Sequence, residues 1–194
     1  MDYFNGLQII TEPAAEPVSV ADVKLQLRLD GTDNDAMLTS MITAARKSVE
    51  AILKRFLITT EVRVGFDRLP VVISLPYSPV QSVDAVKYVD DNGDTQTLSS
   101  ALYRTDLISD PARITPAYSV PWPTTRAVIG AIQVEYTVGY GDAASDVPAP
   151  IRQAIISIVI DLFEHPEKSV EMSLQENRTI MMMLNSFRNC STVM

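Results

Sequence analysis

The sequence contains few of the residues that build disulfides, metal clusters or phosphate-binding loops. Its 194 residues include one cysteine, one histidine and seven glycines. Cys190 therefore has no partner for an internal disulfide, and one cysteine with one histidine gives no zinc-ligand spacing. The run from Gly139 to Ala144 fits a loose GxGxxA pattern but ends before the next predicted helix, which indicates a turn. We expect neither a metal nor a cofactor.

Long apolar runs and an excess of basic residues are also missing. No apolar stretch reaches the roughly 18 residues that cross a bilayer, and Met1 to Ile10 lack the pattern of a signal peptide, so we expect no membrane partner. The 16 basic and 24 acidic residues give a net charge of −8. Residues 61–148 hold 6 basic and 11 acidic side chains, or −5 of that charge. A net negative charge disfavours a protein that binds nucleic acid through its phosphates.

Apolar spacing predicts helices at both ends of the sequence. Ser19 and Asp22 have the spacing of a capping box at the start of a short helix. Apolar residues then repeat at three and four positions from Leu38 to Phe56, which predicts a long helix with one buried face. The charged residues off that stripe are Arg46, Lys47, Glu50 and Lys54. A third, mostly apolar helix is predicted from Pro150 to His165, and we interpret His165 as a surface or capping residue. A fourth helix is predicted from about Leu174 to Arg188.

The middle of the sequence alternates with a period of two and is rich in proline, which predicts strands. Asn92-Gly93 marks a hairpin turn after one of them. Trp122, between two prolines, is either a plug over the edge of this region or an anchor for a partner. The predicted strands are residues 62–66, 71–75, 83–89, 102–104, 112–115 and 129–138.

These patterns predict an α+β protein in which a β-rich insertion separates the second and third main helices. We expect residues 1–60 to form the N-terminal helical half, residues 61–148 the insertion, and residues 149–194 the C-terminal helical half and tail. Catalytic groups are scarce. Asp22-Val23-Lys24 and the turn aspartates could suggest a nuclease, but capping and turn formation already explain them. We predict that the protein is not an enzyme.

Several segments, in order, resemble the head–tail connector proteins of tailed phages, in particular the adaptor or head-completion type. The resemblance begins with Glu16 to Lys24, Leu27 to Asp30 and Lys54 to Leu57. It continues with Val134 to Gly141 and Val147 to Ala154, which are similar to that family's strand–Gly-Tyr–Pro–helix junction. Leu75 to Val80 and Val83 to Tyr88 look like its insertion. The likeness covers about residues 16 to 165.

The resemblance implies a four-helix connector core and a structural role in the virion neck. Such a subunit forms a homo-oligomeric ring, commonly a dodecamer, below the portal protein, and a stopper or terminator protein follows on the tail side. Double-stranded DNA would pass through without specific binding. A tail-completion or stopper protein of the neck is the alternative. The protein would be made in the host cytoplasm and act at the head–tail interface.

Two sets of site residues follow as hypotheses. Acidic side chains could line the channel and let DNA slide; an outer, solvated position is the alternative. The channel-facing candidates are Asp84, Asp90, Asp91, Asp94 and Asp106. In this family the C-terminal segment commonly reaches the portal, although its apolar residues could instead pack on the subunit's own helices. The portal-docking candidates are Met181, Met182, Leu184, Phe187, Asn189 and Met194.

Overall fold

The computed structural model describes residues 4–167, 170, 172 and 178–188, which fall into two compact units. A helical unit comprises Pro13–Ile58 and Tyr140–Arg188. A sheet unit comprises the chain up to Glu12 and Thr59–Gly139. Helices and antiparallel sheets therefore both occur, and the predicted α+β class is confirmed.

The described part of the helical unit contains four α-helices: α1 (Val20–Leu27), α2 (Asp35–Leu53), α3 (Ala149–Glu164) and α4 (Arg178–Asn185). The capping box predicted for α1 is present, because the Ser19 hydroxyl accepts the Asp22 N–H at 3.1 Å and the Asp22 carboxylate accepts the Ser19 N–H at 3.1 Å. At the end of α3 the His165 N–H donates to the Asp161 carbonyl at 3.0 Å, so His165 is the predicted cap. Leu174, the predicted start of the last helix, lies outside the described residues.

The helices share one hydrophobic core. The stripe predicted for α2 is buried, as is most of α3, and α4 contributes two side chains. These core residues include Leu38, Ile42, Ala45, Val49, Leu53, Ile151, Ala154, Ile155, Ile158, Val159, Leu162, Ile180 and Leu184. Burial of these side chains removes a large apolar area from water, which is the main stabilising term for such a unit.

Two charged residues of α2 are buried, contrary to their predicted position off the apolar stripe. Arg46 is only 4% exposed and Glu50 only 9%. The Arg46 guanidinium donates to Glu16 at 2.7 Å and to Glu50 at 2.9 Å, and the other Glu50 oxygen accepts the Leu57 N–H at 3.0 Å. Burial raises the pKa of the Glu50 carboxyl, while Arg46 opposes this change. The ion pair therefore explains why these charges tolerate burial.

The sheet unit has eight strands in its described residues: β1 (Phe4–Thr11), β2 (Thr60–Phe66), β3 (Ile73–Ser74), β4 (Val80–Val89), β5 (Thr95–Leu98), β6 (Tyr103–Asp106), β7 (Arg113–Pro116) and β8 (Ile132–Val138). They form a five-stranded sheet in the order β1-β2-β8-β4-β5 and a three-stranded sheet in the order β3-β7-β6. All of the pairings are antiparallel.

One face of the five-stranded sheet is buried and the other is polar. Across β2 and β8, Val62 pairs with Tyr136 and Val64 with Val134, and all four side chains are fully buried. The residues between them point to the opposite face, as the alternation of a strand requires. Arg63, paired with Glu135, lies on that polar face.

The sheet unit differs from the prediction in two additional strands and in two strand starts. The sequence analysis did not predict β1, which adds residues before α1 to the sheet, or β5, which follows the predicted hairpin turn. The strands predicted at 71–75 and 129–138 begin only at Ile73 and Ile132. Gly130 has φ +65°, a left-handed conformation that interrupts extended backbone before β8. The boundaries predicted after residues 60 and 148 stay a prediction, because compactness alone does not show which segments fold independently.

Candidate functional site

The acidic turn between β4 and β5 holds three of the five predicted channel-facing residues. Asp90 Oδ1 accepts the N–H groups of Asn92 at 2.9 Å and Asp94 at 3.0 Å, and its Oδ2 accepts the Gln96 side-chain amide at 2.9 Å. These donors lower the pKa of Asp90, and the hydrogen bond from Gln96 has the largest effect. Gly93 adopts φ +95°, as the predicted turn requires. Asp90 thus shapes the turn, whereas Asp91 and Asp94 are exposed.

Asp106 braces the connection between β6 and β7. Its carboxylate accepts the Ser109 hydroxyl at 2.6 Å, the Arg113 guanidinium at 2.6 Å and the backbone N–H groups of Ile108 and Ser109. The Ser109 hydroxyl, followed by Arg113, holds the pKa of Asp106 well below its usual range. Since Arg113 balances this charge, Asp106 contributes little negative potential to any channel.

The polar face of the five-stranded sheet carries a charge network that the sequence analysis missed. The Glu135 carboxylate accepts Arg63 Nε at 2.9 Å and Lys87 Nζ at 2.8 Å. The Lys87 ammonium, helped by Arg63, lowers the pKa of Glu135. On the same face, Asp84 accepts the hydroxyls of Ser82 at 2.7 Å and Thr137 at 2.9 Å. The five candidate acids therefore lie in three places: the polar face, the turn after β4 and the β6–β7 connection.

The candidate docking residues differ sharply in exposure. Leu184 is fully buried in the helical core, and Met181 and Phe187 pack partly against that core. Met182 is 74% exposed. The Arg55 guanidinium donates to the Phe187 carbonyl at 2.6 Å and so ties down the chain after α4. Asn189 and Met194 lie outside the described residues.

The candidate nuclease residues have structural roles. Asp22 is occupied by the α1 cap, and its hydrogen bonds with Ser19 lower its pKa. Lys24 forms an ion pair with Asp35 at 2.8 Å. Among the described residues, no group of three or more histidine, cysteine or acidic side chains could hold a metal ion, and no described helix is long and apolar enough to span a membrane.

Trp122 is hydrogen-bonded to a loop of its own unit. Its indole N–H donates to the Pro70 carbonyl at 2.9 Å, and its side chain is half-buried. Nearby apolar residues, Val71 at 83% and Ile129 at 89%, are much more exposed. The sequence analysis placed both residues in strands and therefore did not predict that they lie on the surface. The available signals were Pro70 before Val71 and Gly130 after Ile129.

Three solved structures share the fold of this chain over nearly its whole length. A chain in the neck of an empty gene transfer agent (GTA) particle, computed with C6 symmetry, has a TM-score of 0.80 and 22% identity. A chain in the neck of the native GTA particle, computed with C12 symmetry, has a TM-score of 0.75 and 23% identity. A chain in the virion of the native GTA particle has a TM-score of 0.77 and 22% identity. Each match covers 97% of this chain and 98% of the other.

No curated protein sequence matches the chain significantly. The family model of the head completion proteins matches residues 16–189, which is most of the sequence. The resemblance carried by Glu16 to Lys24 and by the junction before α3 is therefore confirmed. The chain belongs to the head completion protein family.

Proposed function

We propose that this chain is a head–tail connector of the adaptor type, a ring subunit that lies below the portal and extends the DNA channel. The observation that carries the proposal is the family match over residues 16–189. The ring is supported by the fold shared with a chain from a neck computed with C12 symmetry, and a dodecamer is the proposed count. The relatives are structural neck proteins, and we propose no catalytic activity.

Within this ring the helical unit would be the four-helix connector core, and the sheet unit would carry the β-rich insertion. The shared core of the helices supports the first assignment. Most strands lie between α2 and α3, which supports the second, although β1 comes from the N-terminal side. The portal would bind one side of the ring, and a stopper or terminator protein would bind the other.

Of the docking candidates, Met182 is the strongest, because it is exposed on a helix whose opposite face is anchored by Ile180 and Leu184. Methionine adapts its shape readily to a partner surface. Leu184 would support α4 from within and would not touch the portal itself. The segment containing Asn189 and Met194 is proposed to take part in the same contact.

For the channel, Asp84, Asp91 and Asp94 are the better candidates, because their side chains are exposed. A channel wall with this charge would not retain duplex DNA, since binding requires cationic groups that displace counterions from the phosphates. Asp90 and Asp106 would act instead by shaping the turns that hold them.

The connector role can be tested with heads assembled without this chain. We expect that adding the purified protein to DNA-filled heads restores their joining to purified tails, counted by electron microscopy. Heads that join tails equally well with and without the chain would refute the proposal.

A further inference from the structure

One arginine of the helical unit lies in a pocket without a partner. Arg152, near the start of α3, forms no hydrogen bond or ion pair with the described residues, and its Nε is shielded from solvent. A shielded donor without an acceptor costs free energy, so it calls for an explanation. The other lysines and arginines that are at least partly buried in the described chain do have partners; they are Lys24, Arg46, Arg55, Arg63 and Lys87.

The pocket lies between α1 and α3, within the helical unit, and has a volume of about 220 Å³. Its polar groups are the Arg152 guanidinium, the Asp22 carboxylate and two glutamine amides, and its apolar wall includes Val18, Leu25 and Ile156. The pocket therefore has room for a side-chain carboxylate at Arg152 and for an apolar group beside it.

Asp22 does not occupy the guanidinium. Its Oδ2 accepts the Ser19 hydroxyl at 2.6 Å and the Ser19 N–H at 3.1 Å. These hydrogen bonds lower the pKa of Asp22 most, and the charge of Arg152 lowers it further, so the two charged groups lie near each other without forming an ion pair. Arg152 is therefore left with its donors available to another acceptor.

The apolar surface of α1 continues past the rim of this pocket. Leu25 is 78% exposed and also borders a second, open pocket of about 380 Å³ that includes Ala21 and Leu29. Exposed apolar surface around a cation is typical of a contact with another protein. DNA is the poorer occupant, because holding its phosphates requires several cations, whereas a single carboxylate matches one guanidinium with two parallel hydrogen bonds.

We propose that this pocket receives an aspartate or glutamate side chain from the next copy of the chain in the ring. This rests on the proposed connector function and adds one contact between copies. Charge complementarity identifies the occupant. Each copy has a net charge of −8, so adjacent copies repel one another unless a free cation of one copy meets an acid of the next. Arg152 is such a cation, and the chain itself supplies the surplus carboxylates.

The first part of the test asks whether Arg152 stabilises its own subunit. Arg152→Met keeps a long apolar side chain and removes the guanidinium. Because the guanidinium has no partner within the lone chain, we expect the thermal unfolding midpoint of the purified variant to be no lower than that of wild type. A marked fall in the midpoint would show that Arg152 acts within its own subunit, and it would overturn the proposal.

The second part measures assembly. Purified portal rings are titrated with wild type, Arg152→Met or the control Arg104→Met, and native mass spectrometry counts the copies bound to each portal. Arg104 is exposed on β6, so its substitution removes the same charge away from the pocket. We expect Arg152→Met to bind its first copy as wild type does, but to need at least about ten-fold more protein to fill the ring and to accumulate partly filled rings. The control should fill as wild type.

Two results would overturn the second copy as the occupant. Filling of Arg152→Met at wild-type concentrations would show that the pocket does not join copies. An equal loss in binding of the first copy would show that the pocket receives an acid of the portal instead. Failure of the connector function gives a separate result, since wild-type protein would then not bind the portal at all.

A photoreactive phenylalanine analogue at position 25 identifies the neighbour independently. In wild-type background on the portal, illumination should produce a crosslinked dimer of this chain, with the crosslink in a peptide that contains an aspartate or glutamate. The same analogue in place of Lys47, on the exposed side of α2, is the control for random crosslinking. Crosslinks from position 25 to the portal alone would contradict a contact between copies.

Discussion

At the scale of single residues, the buried ion pair of Arg46 and Glu50 makes the sharpest stability prediction. We expect Arg46→Ala to lower the free energy of unfolding by about 3 kcal/mol, because Glu50 and Glu16 would lose their cationic partner while Glu50 stays buried. Chemical denaturation measures this directly. Lys47→Ala, one position along on the exposed side of α2, is the control and should change the value by less than about 0.5 kcal/mol. Equal effects of the two substitutions would contradict the role of the pair.

A second residue-scale prediction concerns pH. Lys87 and Arg63 lower the pKa of Glu135 below its ordinary value of 4.5, so this carboxylate adds stability above that value and loses it as the pH falls through the lowered pKa. Because all three side chains are partly exposed, we expect Glu135→Gln to cost only about 0.5–1 kcal/mol at pH 7.

Unfolding measured at pH 7 and at pH 2–3 should show the difference between wild type and Glu135→Gln shrinking toward zero in acid. Glu164→Gln, an exposed site at the end of α3, is the control. A difference that grows in acid would show that the pairing is not what stabilises this face.

Predictability at this scale depended on the separation of the partners along the chain. The Ser19–Asp22 cap spans four residues and could be predicted from spacing alone. The partners Arg46 and Glu16 lie 30 residues apart, and Glu135 lies 72 residues from Arg63. Only the packed core and the strand register bring such groups together, so neither interaction could be predicted from the sequence.

At the scale of elements, α4 separates a stabilising face from a candidate docking face. We expect Leu184→Ala to destabilise the protein by about 2–4 kcal/mol, since it removes a fully buried side chain from the core. Met182→Ala should leave stability nearly unchanged but weaken portal binding. Thermal unfolding and a portal pull-down with purified proteins give the two readouts. If Met182→Ala binds the portal as tightly as wild type, α4 does not dock there through this residue.

The helices were predictable as elements because three- and four-residue apolar spacing is a local signal. The ends of the strands were harder to predict. Val71 and Ile129 are β-branched and apolar, which is typical of strand residues. The left-handed backbone at Gly130 nevertheless prevents β8 from extending back to Ile129. In β1 only Leu7 to Ile9 alternate, and an edge strand needs a partner, here β2, to form. That partner lies some fifty residues away.

At the scale of the whole molecule, the order of the family motifs was more informative than any single motif. The composition excluded an internal disulfide and disfavoured binding to DNA phosphates. Composition does not, however, specify that subunits assemble into a ring. The surface residues that would join subunits are set by the tertiary arrangement of loops, which the sequence does not display. Ring assembly is thus the central claim that needs measurement.

Native mass spectrometry of the purified chain mixed with its purified portal protein tests that claim most directly. The account predicts a complex in which many copies of the chain, twelve on our proposal, bind one portal ring, and electron microscopy should show them as a second ring on the portal. A chain that remains monomeric and unbound beside an intact portal would contradict the account.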